Sequence, residues 1–156
     1  MKMENFITNG DFADGKLPPW ISIGSGVAVY GEDPGHYVRL SKGGVIQQNP
    51  EVPPNASKLQ FKVRTRESLN EGEFILFSAV LAFSLNAGGV HVLPFVSGAS
   101  SSEWQEVSWE IERVDASDLV IQIRAMAPDS NSSRLLGEKA PFGMVEFKDF
   151  ALIGFE

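Results

Sequence analysis

A chain of 156 residues, 43% of them hydrophobic, with no cysteine and a formal charge of −7, is long enough to close one core unaided and is not a disulfide-stapled scaffold. The acidic balance argues against partners that select a basic surface, so neither nucleic acid nor membrane is expected as a partner. The lack of cysteine suits a reducing compartment, or a bacterial protein that never needed such bridges.

Met1-Lys-Met-Glu-Asn leads straight to Phe6 with no apolar signal core, so a soluble chain is expected, cytoplasmic or exported by a non-classical route. The longest apolar run, Phe74 to Leu85, is 12 residues, against the ~20 that a membrane span needs. The segment Phe6 to Trp20 combines a short apolar strand, turn signals at Asn9-Gly10 and Asp14-Gly15, and a Pro18-Pro19 step. A strand so near one terminus needs a partner, and the last run, Met144 to Phe155, is the expected one.

Between them period-2 alternation dominates and helical periodicity is nearly missing. Ile21 to Tyr30 places Val27 and Val29 against Ala28 and Tyr30, and 31–35 breaks it. His36 to Ser41 puts Val38 and Leu40 inward with Tyr37 and Arg39 outward. Lys42-Gly43-Gly44 reads as a hairpin turn into Val45 to Gln48. Ser57 to Arg66 turns Leu59, Phe61 and Val63 inward. Phe74 to Leu85 is apolar on both faces, as a central strand is, and Asn86 to Gly89 turns it into Val90 to Val96.

Trp104 to Ile111 and Leu119 to Ala125 alternate again, with Val107, Trp109, Ile111, Leu119, Ile121 and Ile123 inward. The connection from Pro128 to Pro141 has room for one helical turn at Ser132 to Leu136. About ten strands punctuated by Gly, Pro and Asn predict an all-β fold, an antiparallel β-sandwich of jelly-roll type, as a single domain over residues 1–156.

Asn9-Gly-Asp-Phe-Ala-Asp-Gly15, Pro18-Pro-Trp20, Glu103-Trp-Gln-Glu-Val107 and Val145-Glu-Phe-Lys-Asp-Phe-Ala-Leu152 resemble the ordered landmarks of carbohydrate-binding modules of the family 4, 9 and 22 type. The resemblance runs the length of the chain. It implies a galactose-binding-like jelly roll, often appended to xylanases and cellulases, that holds an oligosaccharide or polysaccharide along a concave sheet. Its Trp and Phe landmarks are chiefly packing residues and say more about fold than ligand.

Such modules commonly hold a structural calcium with an acid after the Asn-Gly-Asp-Phe unit and an Asp pair in the last strand. Here Ala13 and Lys148 stand at two of those places, removing oxygen ligands and adding a repelling charge. No cofactor is therefore expected, with Asp11, Asp14 and Asp149 as the alternative metal set. Lys148 either replaces the ion, pairing with Asp11, Asp14 or Asp149, or points to water.

Catalysis has little support in the residues. No Cys nucleophile or Gly-x-Ser-x-Gly elbow is present, and His36 and His91 lack metal-ligand spacing. Glu106 and Glu110 on one strand lie ~13 Å apart at about 3.3 Å per residue, too far for the usual glycosidase pair. The chain is read as no enzyme.

Binding is the stronger reading. Arg39, Lys58, Lys62, Arg64, Arg66 and Arg124 all take outward positions, beside Tyr37, Gln47 and Gln122. Arg forks and amides bond hydroxyls while an aromatic face stacks on sugar C–H groups, and an excess of Arg also suits acidic sugars. The expected ligand set is Tyr37, Arg39, Gln47, Lys62, Arg64, Trp104, Gln122 and Arg124, with Tyr30 as a further platform. Against this stands a solvated ladder in which Glu106, Glu110, Glu112 and Glu146 neutralise the cations. The function expected is non-catalytic glycan binding, acidic or mixed oligosaccharides included; the alternative is a structural or protein-interaction module without sugar binding. Scatter of the cations over both faces, or their capture by Glu, favours the alternative.

Overall fold

The computed structural model describes residues 3–155 except 33, 42, 68–70 and 126–142, with backbone only at 3 and 155. The helical turn expected at Ser132 to Leu136 lies outside them. Eleven strands are described: β1 Met3–Asn5, β2 Ile21–Ile23, β3 Val27–Gly31, β4 His36–Leu40, β5 Val45–Gln48, β6 Ser57–Arg64, β7 Ile75–Leu85, β8 Val90–Ala99, β9 Gln105–Ile111, β10 Ala116–Ala125 and β11 Val145–Phe155.

They form two antiparallel sheets. One runs β3-β4-β11-β6-β9 with β1 also on β11, and the other runs β2-β5-β10-β7-β8. The inward residues of both meet in one core, including Val38, Leu40, Leu59, Phe61, Val63, Phe77, Leu81, Ile121, Ile123 and Phe147. This is the expected β-sandwich, with β7 interior in its sheet between β10 and β8.

The two ends of the chain do pair, through a strand just before the expected Phe6 segment: Met3, Glu4 and Asn5 face Phe155, Gly154 and Ile153, and Phe6 N–H adds a bond to Leu152 C=O at 2.9 Å. β11 is therefore the strand on which the six-stranded sheet is assembled, with β1 and β4 on one side and β6 on the other. Its pairing with β6 slips between Lys148 and Ala151, where Asp149 takes φ 56°. One extra residue there is a bulge that reverses the alternation. Val145 and Phe147 point inward before it, and Phe150 and Leu152 point inward after it.

The Asn9-Gly10 turn packs on that bulge. Phe150 N–H donates to Gly10 C=O at 2.9 Å, and a Cβ at Gly10 would collide with the Phe150 carbonyl. Asn9 Nδ2 donates to the carbonyls of Lys16 and Pro18 at 2.8 and 3.0 Å, and Trp20 Nε1 donates to Asn9 C=O at 3.0 Å. The opening segment thus closes over Phe12 and Trp20, both buried.

Two expectations are corrected. Ile21 to Tyr30 is not one strand: Gly24 and Gly26, at φ 77° and 88°, break it into β2 and β3, which join different sheets. Nor do His36–Ser41 and Val45–Gln48 form a hairpin. Gly44 N–H donates to Ser41 C=O at 2.9 Å, so a turn exists, but it carries the chain from one sheet to the other. A turn signature specifies a reversal, not the layer in which the next strand pairs.

Candidate functional site

The side chains of the six-stranded sheet that point away from the core form a charged and aromatic cluster. Register explains why. Glu146 on β11 lies between Arg39 on β4 and Arg64 on β6, and outward residues at one level of adjacent strands sit within reach of each other. Arg39 Nε and Arg64 Nε donate to Glu146 at 2.9 and 2.6 Å, and Arg66 Nε reaches the same carboxylate at 3.0 Å. Three guanidiniums enclose it so fully that the Glu146 side chain is 0% exposed.

A second carboxylate, Glu32 in the β3–β4 loop, caps the cluster. Its Oε2 accepts from Arg64 Nη2 at 3.0 Å, and its Oε1 accepts from Lys148 Nζ at 3.3 Å and Trp104 Nε1 at 3.2 Å. Burial pushes both carboxyls up, but hydrogen bonds outweigh it. Those from Arg64, Arg39 and Arg66 hold Glu146 below the ordinary value, and those from Arg64 and Lys148 do so for Glu32. Both are carboxylates at neutral pH.

Three rings support these charges. Tyr30 and Tyr37, opposite each other on β3 and β4, stack with centroids 5.8 Å apart, and Trp104 meets Tyr37 edge-on at 6.1 Å. The Arg39 guanidinium lies over Tyr30 at 4.4 Å, that of Arg64 over Trp104 at 4.1 Å, and Lys148 Nζ over Trp104 at 4.6 Å. Four cations against two carboxylates leave a positive excess on a chain of net charge −7. Tyr30 is 42% exposed and the Arg66 side chain 50%, so ring and fork both reach the surface.

Of the expected ligand set, Tyr37, Arg39, Arg64 and Trp104 meet in this cluster. Lys62 lies beside it on β6, bound to Asp149 at 3.5 Å. Gln47, Gln122 and Arg124 do not join them. They project from the outer face of the five-stranded sheet, where Gln122 Nε2 donates to Gln47 Oε1 at 2.7 Å. Tyr37 faces outward yet is 4% exposed, covered by Tyr30, Arg64 and Trp104, and it does not serve as an open platform.

The rest of the five-stranded outer face is mainly aliphatic. Ile21 and Ile23, in register with Gln47 and Val45, are exposed, as are Val92 and Val96 on the edge strand β8. Phe74 is its exposed ring and lies across Gly98. A cavity of about 620 Å³ opens where this sheet meets the N-terminal segment, lined by Phe6, Pro19, Ile21, Gln47 and Gln48 among others.

Glu32 and Glu146 as organisers of the site were not foreseen as such. Glu146 stood only among possible neutralising partners, and it alone of those named forms ion pairs with described residues; Glu106, Glu110 and Glu112 form none. The expected pairing of Lys148 with an N-terminal Asp or Asp149 is also corrected. Lys148 precedes the bulge, points outward and binds Glu32, while Lys62 takes Asp149. Asp11 and Asp14 accept from the N–H groups of Ala13 and Lys16 at 3.2 and 3.0 Å. Among the described residues no group of three or more His, Cys, Asp or Glu is placed to hold a metal ion. His36 is partly buried, its Nδ1 enclosed and without a hydrogen-bond partner among the described residues.

No protein-family model and no curated protein matches the sequence. Solved structures do match. TmCBM61, in complex with β-1,4-galactotriose, aligns at TM-score 0.60 and 15% identity over 96% of this chain and 97% of its own. The family 16 carbohydrate-binding module 2 aligns at 0.66 and 15% over 95% and 99%. The CBM22-1 xylan-binding domain of Paenibacillus barcinonensis Xyn10C aligns at 0.65 and 9% over 96% and 93%. The chain shares its fold with these carbohydrate-binding modules.

Proposed function

We propose that this chain is a non-catalytic carbohydrate-binding module and that its ligands are acidic or mixed oligosaccharides. Of the two outer sheet faces on which the expected concave-face binding can fall, we assign the six-stranded one. The observation that carries this is the convergence of Tyr30, Arg39, Arg66 and Trp104 on one surface of an otherwise acidic protein. Tyr30 offers a ring for sugar C–H groups, and Arg66, anchored through Nε to Glu146, keeps half of its side chain exposed. A planar guanidinium fork left accessible matches a carboxylate in two-point contact. Anchoring by Glu146 reduces the rotamer freedom lost on binding.

No cofactor enters this reading. Asp11 and Asp14 are engaged by backbone N–H groups, and Lys62 sits against Asp149, where its charge opposes a cation. The alternative, an interaction module without sugar binding, has on its side the division of the expected set over two faces and the capture of Arg39 and Arg64 by glutamates. The fold likeness and the half-exposed side chain of Arg66 weigh against it.

A glycan array spanning neutral and uronate-containing oligosaccharides tests the proposal. Binding to acidic glycans is expected, and Arg66→Ala and Tyr30→Ala are each expected to weaken a hit about tenfold or more, the scale of one charge-assisted or stacking contact. Silence across the array overturns it.

A further inference from the structure

Glu32 is the one acceptor of the cluster that comes from a loop. Its donors are held apart from it: Arg64 on β6 is anchored by Glu146 through Nε, Lys148 lies on β11, and Trp104, immediately before β9, packs on Tyr37. The Glu32 N–H donates to Gly35 C=O at 2.9 Å, and Gly35 takes φ 97° with open space around the position of a Cβ. The carboxylate is thus delivered by a small loop onto donors that exist without it.

We propose that Arg64 Nη2, Lys148 Nζ and Trp104 Nε1 form a carboxylate-recognition subsite, and that Glu32 is its built-in occupant, displaced when an acidic group of a ligand enters. This rests on the glycan-binding reading for the ligand's source and not for the subsite itself. The chemistry is specific. One carboxylate oxygen takes the guanidinium N–H, and the other takes an ammonium and an indole N–H. A uronate carboxylate or a sulfate offers the same acceptors. With Glu32 withdrawn, Arg39, Arg64, Arg66 and Lys148 face Glu146 alone, so four cations stand against one carboxylate. Glu32 sets the threshold that an incoming acceptor must exceed, and an anionic oxygen, which makes the stronger charge-assisted bonds, meets it better than a neutral sugar hydroxyl.

The test compares wild type with Glu32→Gln, which keeps the side chain's size and removes its charge. Sulfate is expected to raise the melting temperature of the variant well above any effect on wild type, with chloride at matched ionic strength as control. Oligogalacturonate is expected to bind the variant about tenfold more tightly, the gain from removing one charge-assisted competitor. Trp104→Phe in the variant background is expected to reduce that gain. Sulfate stabilisation without oligogalacturonate binding confirms the subsite and removes the acidic-glycan reading. Glycan binding by wild type that Glu32→Gln leaves unchanged or weakens overturns the subsite and leaves the glycan reading standing. Should the variant not fold, sulfate titrated into wild type is expected to shift the Trp104 indole N–H resonance as Glu32 leaves it; no shift overturns the proposal.

Discussion

Glu146→Gln is expected to destabilise the protein by about 3 kcal/mol, the lower end of what breaking a buried ion pair costs. The lower end applies because Arg66 is half exposed and Arg39 a quarter exposed, so solvent screens part of what they lose. Arg64, with its side chain 9% exposed, bears most of the penalty. A urea-denaturation midpoint measures it. The pH dependence has a definite sign. The Glu146 carboxyl titrates below its ordinary 4.5 in the folded chain, so its contribution is fully present above that value and is lost as pH falls through the folded one. The wild-type midpoint is therefore expected to decline below about pH 4.5 more steeply than that of the variant. A variant as stable as wild type, with the same acid limb, shows that the three arginines do not depend on this carboxylate.

Phe150→Ala is expected to cost about 3–5 kcal/mol, as for other large aromatic truncations in a closed core. Phe150 is 2% exposed and its ring lies 5.1 Å from Trp20, 5.2 Å from Phe61, 5.8 Å from Phe147 and 6.2 Å from Phe12. Removing it empties the junction between the opening segment and β11. Trp20 fluorescence should shift to the red as water reaches it, together with the fall in melting temperature. Phe74→Ala is the control: 44% exposed, it should cost within about 1 kcal/mol. Equal losses at both positions contradict the core described here.

Much of the sandwich is legible in the residues, because strand alternation records burial directly. Leu59, Phe61 and Val63 share a face in the sequence and share the core in the fold. Pairing of the termini follows from two strands at the ends that each require a neighbour. What alternation leaves out is the layer. Arg39 and Arg124 are both outward, yet they belong to opposite sheets and never meet. The parity of β11 is likewise hidden, since reading Lys148 and Phe150 correctly requires the bulge at Asp149, whose φ of 56° no neighbouring residue announces. Glu146 is legible only as one of four possible neutralising partners for a related reason: its central role follows from the register that sets it between Arg39 and Arg64, and register is a property of three strands far apart in sequence. Glu32 comes from a loop, where no period points at a target.

The assignment of the six-stranded face is tested most directly by mapping a bound acidic oligosaccharide with ¹H–¹⁵N NMR. Titration is expected to move the Trp104 indole and the Arg39 and Arg66 Nε–H resonances together, leaving the side-chain amides of Gln47 and Gln122 in place. Movement of the two glutamine amides with the Trp104 and arginine signals unchanged would place the ligand on the other sheet and contradict the account.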